Sequence, residues 1–567
     1  MRRHVVVAAT FVFVGWLAVL PAVGAAAPAD EIRLTTTVDR APDYPGEIAV
    51  TVSFRLPDRV TELTPQLPDG VTVTETDGFI RSDGGEYTWD GRTEAPSITF
   101  RTDAVERTDD EGPLAEDGQY LFADTDEWAL VRIPSIGVGW TQTGRDELGV
   151  DRETAVDGVG VAGDRMAYLG DYSVVRRTAH GQTFHLVIPA AADLAESPEA
   201  ILDSLSHAAD SLRVGDRDRE VLVIAAPTDG VEWGVRGLQT GDAELWVQDS
   251  ERLDTPTNVW VHEYVHTRQA FANRTTTDTR WLTEATATYY AALLTLDDDR
   301  IAFDEFRRAL ELGTRTPQST ATLSRPDSWQ ADANYGKGSL VVGDLDRRIR
   351  LSTESEASFG TVFRSLNRHH GELGPEEFEA AVAVAATPSV GAAAADYTRT
   401  DATPAVWSAA DHAEAFGQPP ARFEFRLADD PTVVDSRNRT EPLNRTAPTL
   451  TAGETLAVDV VVENVGGTVG DYELPVGVDN ETSTERGRLT PGETASHRFT
   501  HTFDEPGRYT VVAGDERLDV RVDSATPEPG DRLPSDVPIS VDTPGFGVIP
   551  AVSVLLLLPL AASRLRA

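Results

Sequence analysis

The chain has 567 residues, with 93 Asp plus Glu against 50 Lys plus Arg, a formal net charge of −43, and no cysteine. That balance excludes a broad basic face for nucleic acid, and the lack of thiols excludes disulfide frameworks and thiolate-held zinc or iron–sulfur centres. The length allows several domains with large cores, and 40% apolar residues argue against wholesale disorder. Lys337 is the only lysine. An acid-rich, lysine-poor surface suits concentrated salt, which screens its self-repulsion, so the charge describes the medium rather than the chemistry.

Residues 1–26 read as a signal peptide. Arg2, Arg3 and His4 precede an apolar run over 5–20, and small residues at 22–27 offer a cleavage site. An uncleaved anchor is the alternative. Residues 30–125 alternate apolar and polar positions between Pro, Gly and Asp turns, as in 48–54 and 71–73, and predict an N-terminal β-sandwich-like domain with an acidic loop at 103–118. Residues 126–415 form the next region. It mixes strands and helices up to about 255, with 221–225 and 244–248 as strand candidates. It then turns helical, with 3.6-residue apolar spacing in 301–312 and 339–350.

Residues 420–523 read as a further β-sandwich, with strands at 456–462, 472–478, 496–503 and 509–512. This stretch resembles the Ig-like CARDB domains of archaeal surface proteins, which implies a spacer or binding role. Residues 524–543 form a Pro-rich linker. The segment 544–567 opens with Pro544-Gly545-Phe546 and continues through an apolar run at 547–562 to Arg564 and Arg566. This order resembles the PGF-CTERM sorting signal of haloarchaeal surface proteins. The resemblance implies an archaeosortase-type processing partner, attachment to the membrane through this segment or a lipid, and a location at the outer face of the cell membrane. An ordinary tail anchor is the alternative. Asn273, Asn438, Asn444 and Asn480 head N-glycosylation sequons.

The chemistry concentrates in His262-Glu263-Tyr264-Val265-His266, an HExxH pattern. On a helix, residues four apart share a face, so both imidazoles reach one metal ion and Glu263 lies beside them as a general base. Glu284, eighteen residues after His266, follows a polar turn at 273–279. Two antiparallel helices joined there bring it to the metal as a third ligand. A third segment runs from Asn334-Tyr335-Gly336-Lys337-Gly338 into 339–350.

These three segments, in this order and spacing, resemble the glycyl aminopeptidase family and, more distantly, the alanyl aminopeptidase and thermolysin-like gluzincins. The resemblance implies a thermolysin-like, mostly helical zinc peptidase domain within a multidomain α+β chain. It implies one Zn2+ per chain, with His262, His266 and Glu284 as metal ligands, and a peptide or protein substrate. It further implies Glu263 as catalytic base and Tyr335 as hydrogen-bond donor to the oxyanion. The zinc helices span 257–296 and the Tyr335 segment 334–350. One departure stands out. The Gly-x-Met-Glu-Asn segment whose glutamate holds a free amine in the aminopeptidases is missing from 234–244, where Asp242 or Glu244 is the nearest substitute. Aminopeptidase and endopeptidase action both stay open. A substrate strand is expected along 244–248. The rival reading is a surface adhesion or cell-envelope protein on an inactive peptidase scaffold.

Overall fold

The computed structural model describes residues 31–524 except 109–113, 216, 331, 418–420, 428–430, 435–438, 444–447, 480 and 515. The signal-peptide region, all but the first residue of the Pro-rich linker, the 544–567 segment and the sequons at Asn438, Asn444 and Asn480 lie outside the described residues. Among the described residues, no helix is long and apolar enough to cross a membrane.

The amino-terminal unit is all β. Glu31–Arg40, Glu47–Arg55 and Ser97–Asp103 alternate buried and half-exposed positions and pair antiparallel in one sheet. The inward side chains Ile32, Leu34, Val38, Ile48, Val50, Val52, Phe54, Ile98 and Phe100 are fully buried or nearly so. The outer side of the first strand is covered from far along the chain, because Gly149–Val156 pairs in parallel with Glu31–Val38 and becomes the edge strand.

The expected boundary at 125/126 therefore falls inside this unit. Strands Tyr120–Asp124, Ala129–Arg132 and Met166–Leu169 form a second sheet, and Ala129, Val131, Ala167 and Leu169 complete the same core. Local alternation predicts strands but not which distant strand completes a sheet.

A mixed sheet follows. Tyr172–Ala179 pairs antiparallel with Gln182–Pro189, which pairs in parallel with Glu220–Ala226, and that with Glu244–Gln248. Gly237–Gly241 lies antiparallel at the edge. An aromatic cluster joins this sheet to the amino-terminal unit. The Trp233 and Trp246 rings are 4.7 Å apart, and Trp128 stacks on both Trp233 and Tyr168. Each such ring pair contributes about 1 kcal/mol beyond area burial.

Helices cover the other side. α1 (Pro198–Ser211) starts at Ser197, whose side chain accepts the Ala200 N–H, with proline at the first position. α2 (Val259–His266), α3 (Trp281–Asp297), α4 (Phe303–Glu311) and α5 (Ala333–Ser352) share one core with the sheet. Buried Asp346 on α5 accepts hydrogen bonds from Tyr289 Oη on α3, Arg350 Nε and the Phe359 N–H, so no charge there is left unpaired.

The carboxy-terminal unit has two sheets over one core. Thr455–Asn464 pairs with Phe423–Leu427, Thr432–Val434 and Thr494–Thr502 in one sheet. Gly470–Val478, Glu481–Leu489, Gly507–Ala513, Glu516–Asp523 and Thr449–Thr451 form the other. Arg488 reaches from this unit to the Glu305 carboxylate, 2.6 Å, and the Arg300 carbonyl on the helical region.

A cavity of about 340 Å³ lies beside the seam between the amino-terminal unit and the mixed sheet. Glu244 in its wall accepts the N–H groups of Asp164 and Arg165 and the Thr240 hydroxyl. Burial raises its pKa to about 7 from an ordinary 4.5. The folded chain therefore holds this proton more tightly than the unfolded chain. The resulting stabilisation is complete below pH 4.5 and is lost as pH rises through 7, by about 3 kcal/mol. Thermal melts in molar KCl should show the stability of wild type relative to Glu244→Gln falling across that window. A pH-independent difference would remove Glu244 as the cause.

Candidate metal centre and cleft

α2 begins at Asn258, which is wholly buried. Its Oδ1 accepts the Val261 N–H, while its Nδ2 donates to Leu253 O, to Ser204 Oγ on α1 and to Thr295 Oγ1 on α3. Val259, Trp260, Val261, Tyr264 and Val265 enter the core, so His262, Glu263 and His266 occupy the remaining face. At the other end of α2, Gln269 Oε1 contacts His266 Nδ1, and Gln269 Nε2 donates to the Thr283 carbonyl at the start of α3. Contacts from the start of α2 to the end of α3, and the reverse, make the two helices antiparallel. Glu284 in the first turn of α3 thus arrives opposite the two histidines.

The three donor atoms converge. His262 Nε2 and His266 Nε2 are 3.1 Å apart, and Glu284 Oε2 lies 3.4 Å from the first and 3.5 Å from the second. Zinc at about 2.0–2.1 Å from three tetrahedral ligands requires donors about 3.3 Å apart. Two imidazoles and one carboxylate in this triangle therefore fit a zinc ion, which they would hold at the edge of the cleft they line.

The electrostatics agree with that donor set. Burial favours neutral His262. Burial works against a charged Glu284, but the imidazoles of His266 and His262 outweigh it and hold the carboxyl well below its usual range. Burial also opposes charge on His266, yet the Glu284 carboxylate raises its pKa to about 9. The cluster draws positive charge, which a divalent cation would supply in place of a proton.

Glu263 is buried on α2 and accepts the backbone N–H of Gln239 from the edge strand Gly237–Gly241. Burial pushes its carboxyl up to about 7. Gly237 permits this contact, since a Cβ there would lie 2.6 Å from Val259 Cγ1 and 2.9 Å from Glu263 Cγ. Tyr335, in the first turn of α5, lays its ring parallel to that of His262 at 6.3 Å. α5 comes this close because Gly338 packs on α3; a Cβ at Gly338 would meet Ala285 Cβ at 2.7 Å. Lys337 is fully buried and donates to the Ala321 and Ser319 carbonyls, fixing the segment beside the cleft. Burial lowers its pKa to about 8.

All five residues singled out from the sequence line one cleft of about 210 Å³. Two expectations are corrected. Glu244–Gln248 is an interior strand, paired on both sides, so it offers no edge to a substrate; that edge belongs to Gly237–Gly241. Asp242 and Glu244 are not among the cleft-lining residues, and Glu244 is engaged at the seam cavity instead.

Sequence reasoning also missed Leu114 and Ala115, which line the cleft from the stretch read as a loop. They are held by an Ala115–Val235 bridge and by the Arg236 N–H on Leu114 O. No local signal marks them. Asn273 between the helices is exposed, whereas His369 turns its Nε2 to the Glu372 carbonyl.

No protein family and no curated protein matches the sequence. Among solved structures, the chain is similar to an aminopeptidase N family protein from Idiomarina loihiensis. That match has 12% identity over 86% of this chain and 95% of that one, with a TM-score of 0.44. It is also similar to an M1 zinc metallopeptidase from Deinococcus radiodurans, at 14% identity over 66% and 95%, with a TM-score of 0.41.

Replacing Glu284 by Ala should abolish stoichiometric zinc binding while circular dichroism stays unchanged. Gln269→Ala, which frees the His266 ring, should weaken zinc about 10–100-fold in a chelator competition. Unaltered affinity in both would show that the metal is held elsewhere.

Proposed function

We propose that this protein is a zinc metallopeptidase of the gluzincin type, holding one zinc ion per chain through His262, His266 and Glu284. The observation that carries the reading is the donor triangle of 3.1–3.5 Å with the buried carboxyl of Glu263 on the same helix face. Bound zinc supplies a Lewis acid that polarises a carbonyl and brings the pKa of water toward neutrality.

The protein's own residues do the rest. An extended peptide adds to the Gly237–Gly241 edge by main-chain hydrogen bonds. Glu263, oriented by the Gln239 N–H, takes the proton from the attacking water and passes it to the departing amine. A carboxylate can do both, as a base toward the water and, once protonated, as an acid toward the amine. Tyr335 donates to the oxygen that becomes negative as the carbonyl carbon turns tetrahedral. We also read the chain as exported and held at the cell surface. The order of the sequence at residues 1–26 and 544–567 supports this. On this reading the carboxy-terminal β unit spaces the peptidase from the membrane.

A mixed peptide library digested in molar KCl by zinc-loaded protein tests the activity. Wild type should cut, and the positions of the cuts decide between internal and amino-terminal cleavage. Glu263→Gln should retain zinc and lose at least about 1,000-fold in rate. Zinc bound with no cut peptides would favour a binding scaffold instead. Tyr335→Phe should lower kcat by about 100-fold or more with KM within a few-fold, because its hydrogen bond forms mainly in the transition state. An equal rise in KM alone would make Tyr335 a binding residue.

A further inference from the structure

The strand Gly237–Gly241 carries both the N–H that meets Glu263 and the edge proposed for substrate, yet its own ladder is irregular. Gly237, Leu238 and Gln239 pair in turn with Val247, Trp246 and Leu245. The register then shifts, so Thr240 is passed over before Gly241 meets Glu244. The end at Gly237 is tied by Gln248, whose N–H and Nε2 donate to the Arg236 and Val235 carbonyls. The end at Gly241 is tied through a side chain instead, because the Thr240 hydroxyl donates to Glu244 Oε1 at 3.0 Å.

Glu244 is only 3% exposed, and its carboxyl reaches from the mixed sheet to the amino-terminal unit. There it accepts the N–H groups of Asp164 and Arg165, each at 2.7 Å, at the tip of the hairpin formed by Gly160–Ala162 and Met166–Leu169. Glycine makes room for it on both sides. A Cβ at Gly163 would overlap Oε2, and one at Gly241 would lie 2.8 Å from Cγ. The hairpin tip is itself fixed, since the Ile133 N–H donates to the Arg165 carbonyl and the Thr154 hydroxyl to the Gly163 carbonyl. One buried carboxyl thus joins two hairpin tips, and Thr240 connects it to the neighbour of Gln239.

We propose that Glu244 and Thr240 are positioning residues that clamp the edge strand, so that Gln239 holds Glu263 in place and a peptide finds its edge ready. The proposal rests on the peptidase reading and gives the amino-terminal unit a part in it. A strand with glycine at both ends and a bulge has little propensity to keep its place unaided. Unclamped, it would leave Glu263 supported by its own helix alone, and a misplacement of about 1 Å can cost about 100-fold in rate. The metal triangle stands on α2 and α3 and does not use this strand, so zinc affinity separates the two effects.

The test uses zinc-loaded full-length protein. Thr240→Val removes only the hydroxyl, whereas Glu244→Gln leaves one acceptor oxygen where two N–H groups need one each. In both variants, amide hydrogen exchange over 237–241 should quicken at least about tenfold while zinc affinity stays within about twofold. On a cleaved peptide, kcat should fall at least about fivefold and KM should rise at least about threefold, because base and substrate edge move together. Thr240→Ser, which restores the hydroxyl, should return both constants to within about twofold of wild type. Partial unfolding would lower kcat in step with the number of zinc sites and leave KM alone; that pattern overturns the positioning role. Unchanged exchange in Thr240→Val overturns the clamp, and this variant carries the test if Glu244→Gln fails to fold. Quicker exchange with unaltered kcat and KM overturns its bearing on catalysis while the peptidase reading stands. A zinc-loaded wild type that cleaves nothing overturns the peptidase reading and the catalytic role with it, and exchange alone then decides whether the clamp holds the strand.

Discussion

The donor triangle depends on the register between α2 and α3, and two polar contacts fix that register. A buried amide at Asn258 ties the start of α2 to Thr295. Gln269 ties its end to Thr283 and to the His266 ring at once. Apolar packing alone would hold the helices together but would tolerate sliding, since dispersion is not directional. A slide of one residue would move Glu284 by about 1.5 Å, close to half the spacing between the donors. Hydrogen bonds between buried groups forbid it, because each broken partner is stranded without water. The same Gln269 that sets the register also orients the His266 ring, so helix register and the setting of this imidazole are coupled through one side chain.

The edge of the mixed sheet is the second fixed element. Glu263 is positioned from two sides, by its own helix and by the Gln239 N–H. Glycine at 237 lets strand and carboxyl approach each other. Any larger residue there would push the strand off α2 and weaken both its contact with Glu263 and the edge itself. Glu263 and the proposed substrate track are thus set by one backbone segment. Leu114, brought in from the amino-terminal unit, borders the cleft beside it.

Much of the site was legible because it is local. The four-residue spacing of His262 and His266, and the helix around Glu284, follow from periodicity. Tyr335 required a resemblance, because nothing in its own neighbourhood demands a tyrosine. What escaped was long-range. Strand order within the mixed sheet is not written in any one strand, and Gly237–Gly241, with two glycines, has little strand propensity of its own. It exists because Glu244–Gln248 had an unpaired edge to offer it. The seam cluster of Trp128, Trp233 and Trp246 hid the true extent of the first unit in the same way, since aromatic residues scattered over more than one segment announce no partner.

The parallel pairing of Glu31–Val38 with Gly149–Val156 has a consequence for how the molecule comes into being. The first described strand must wait for a partner made roughly 120 residues later, and closing that loop costs entropy before any contact repays it. Until then its outer edge is an unsatisfied ladder open to other chains, the condition in which nascent β proteins associate wrongly. Glu31–Arg40 is thus made long before the strand that completes its pairing.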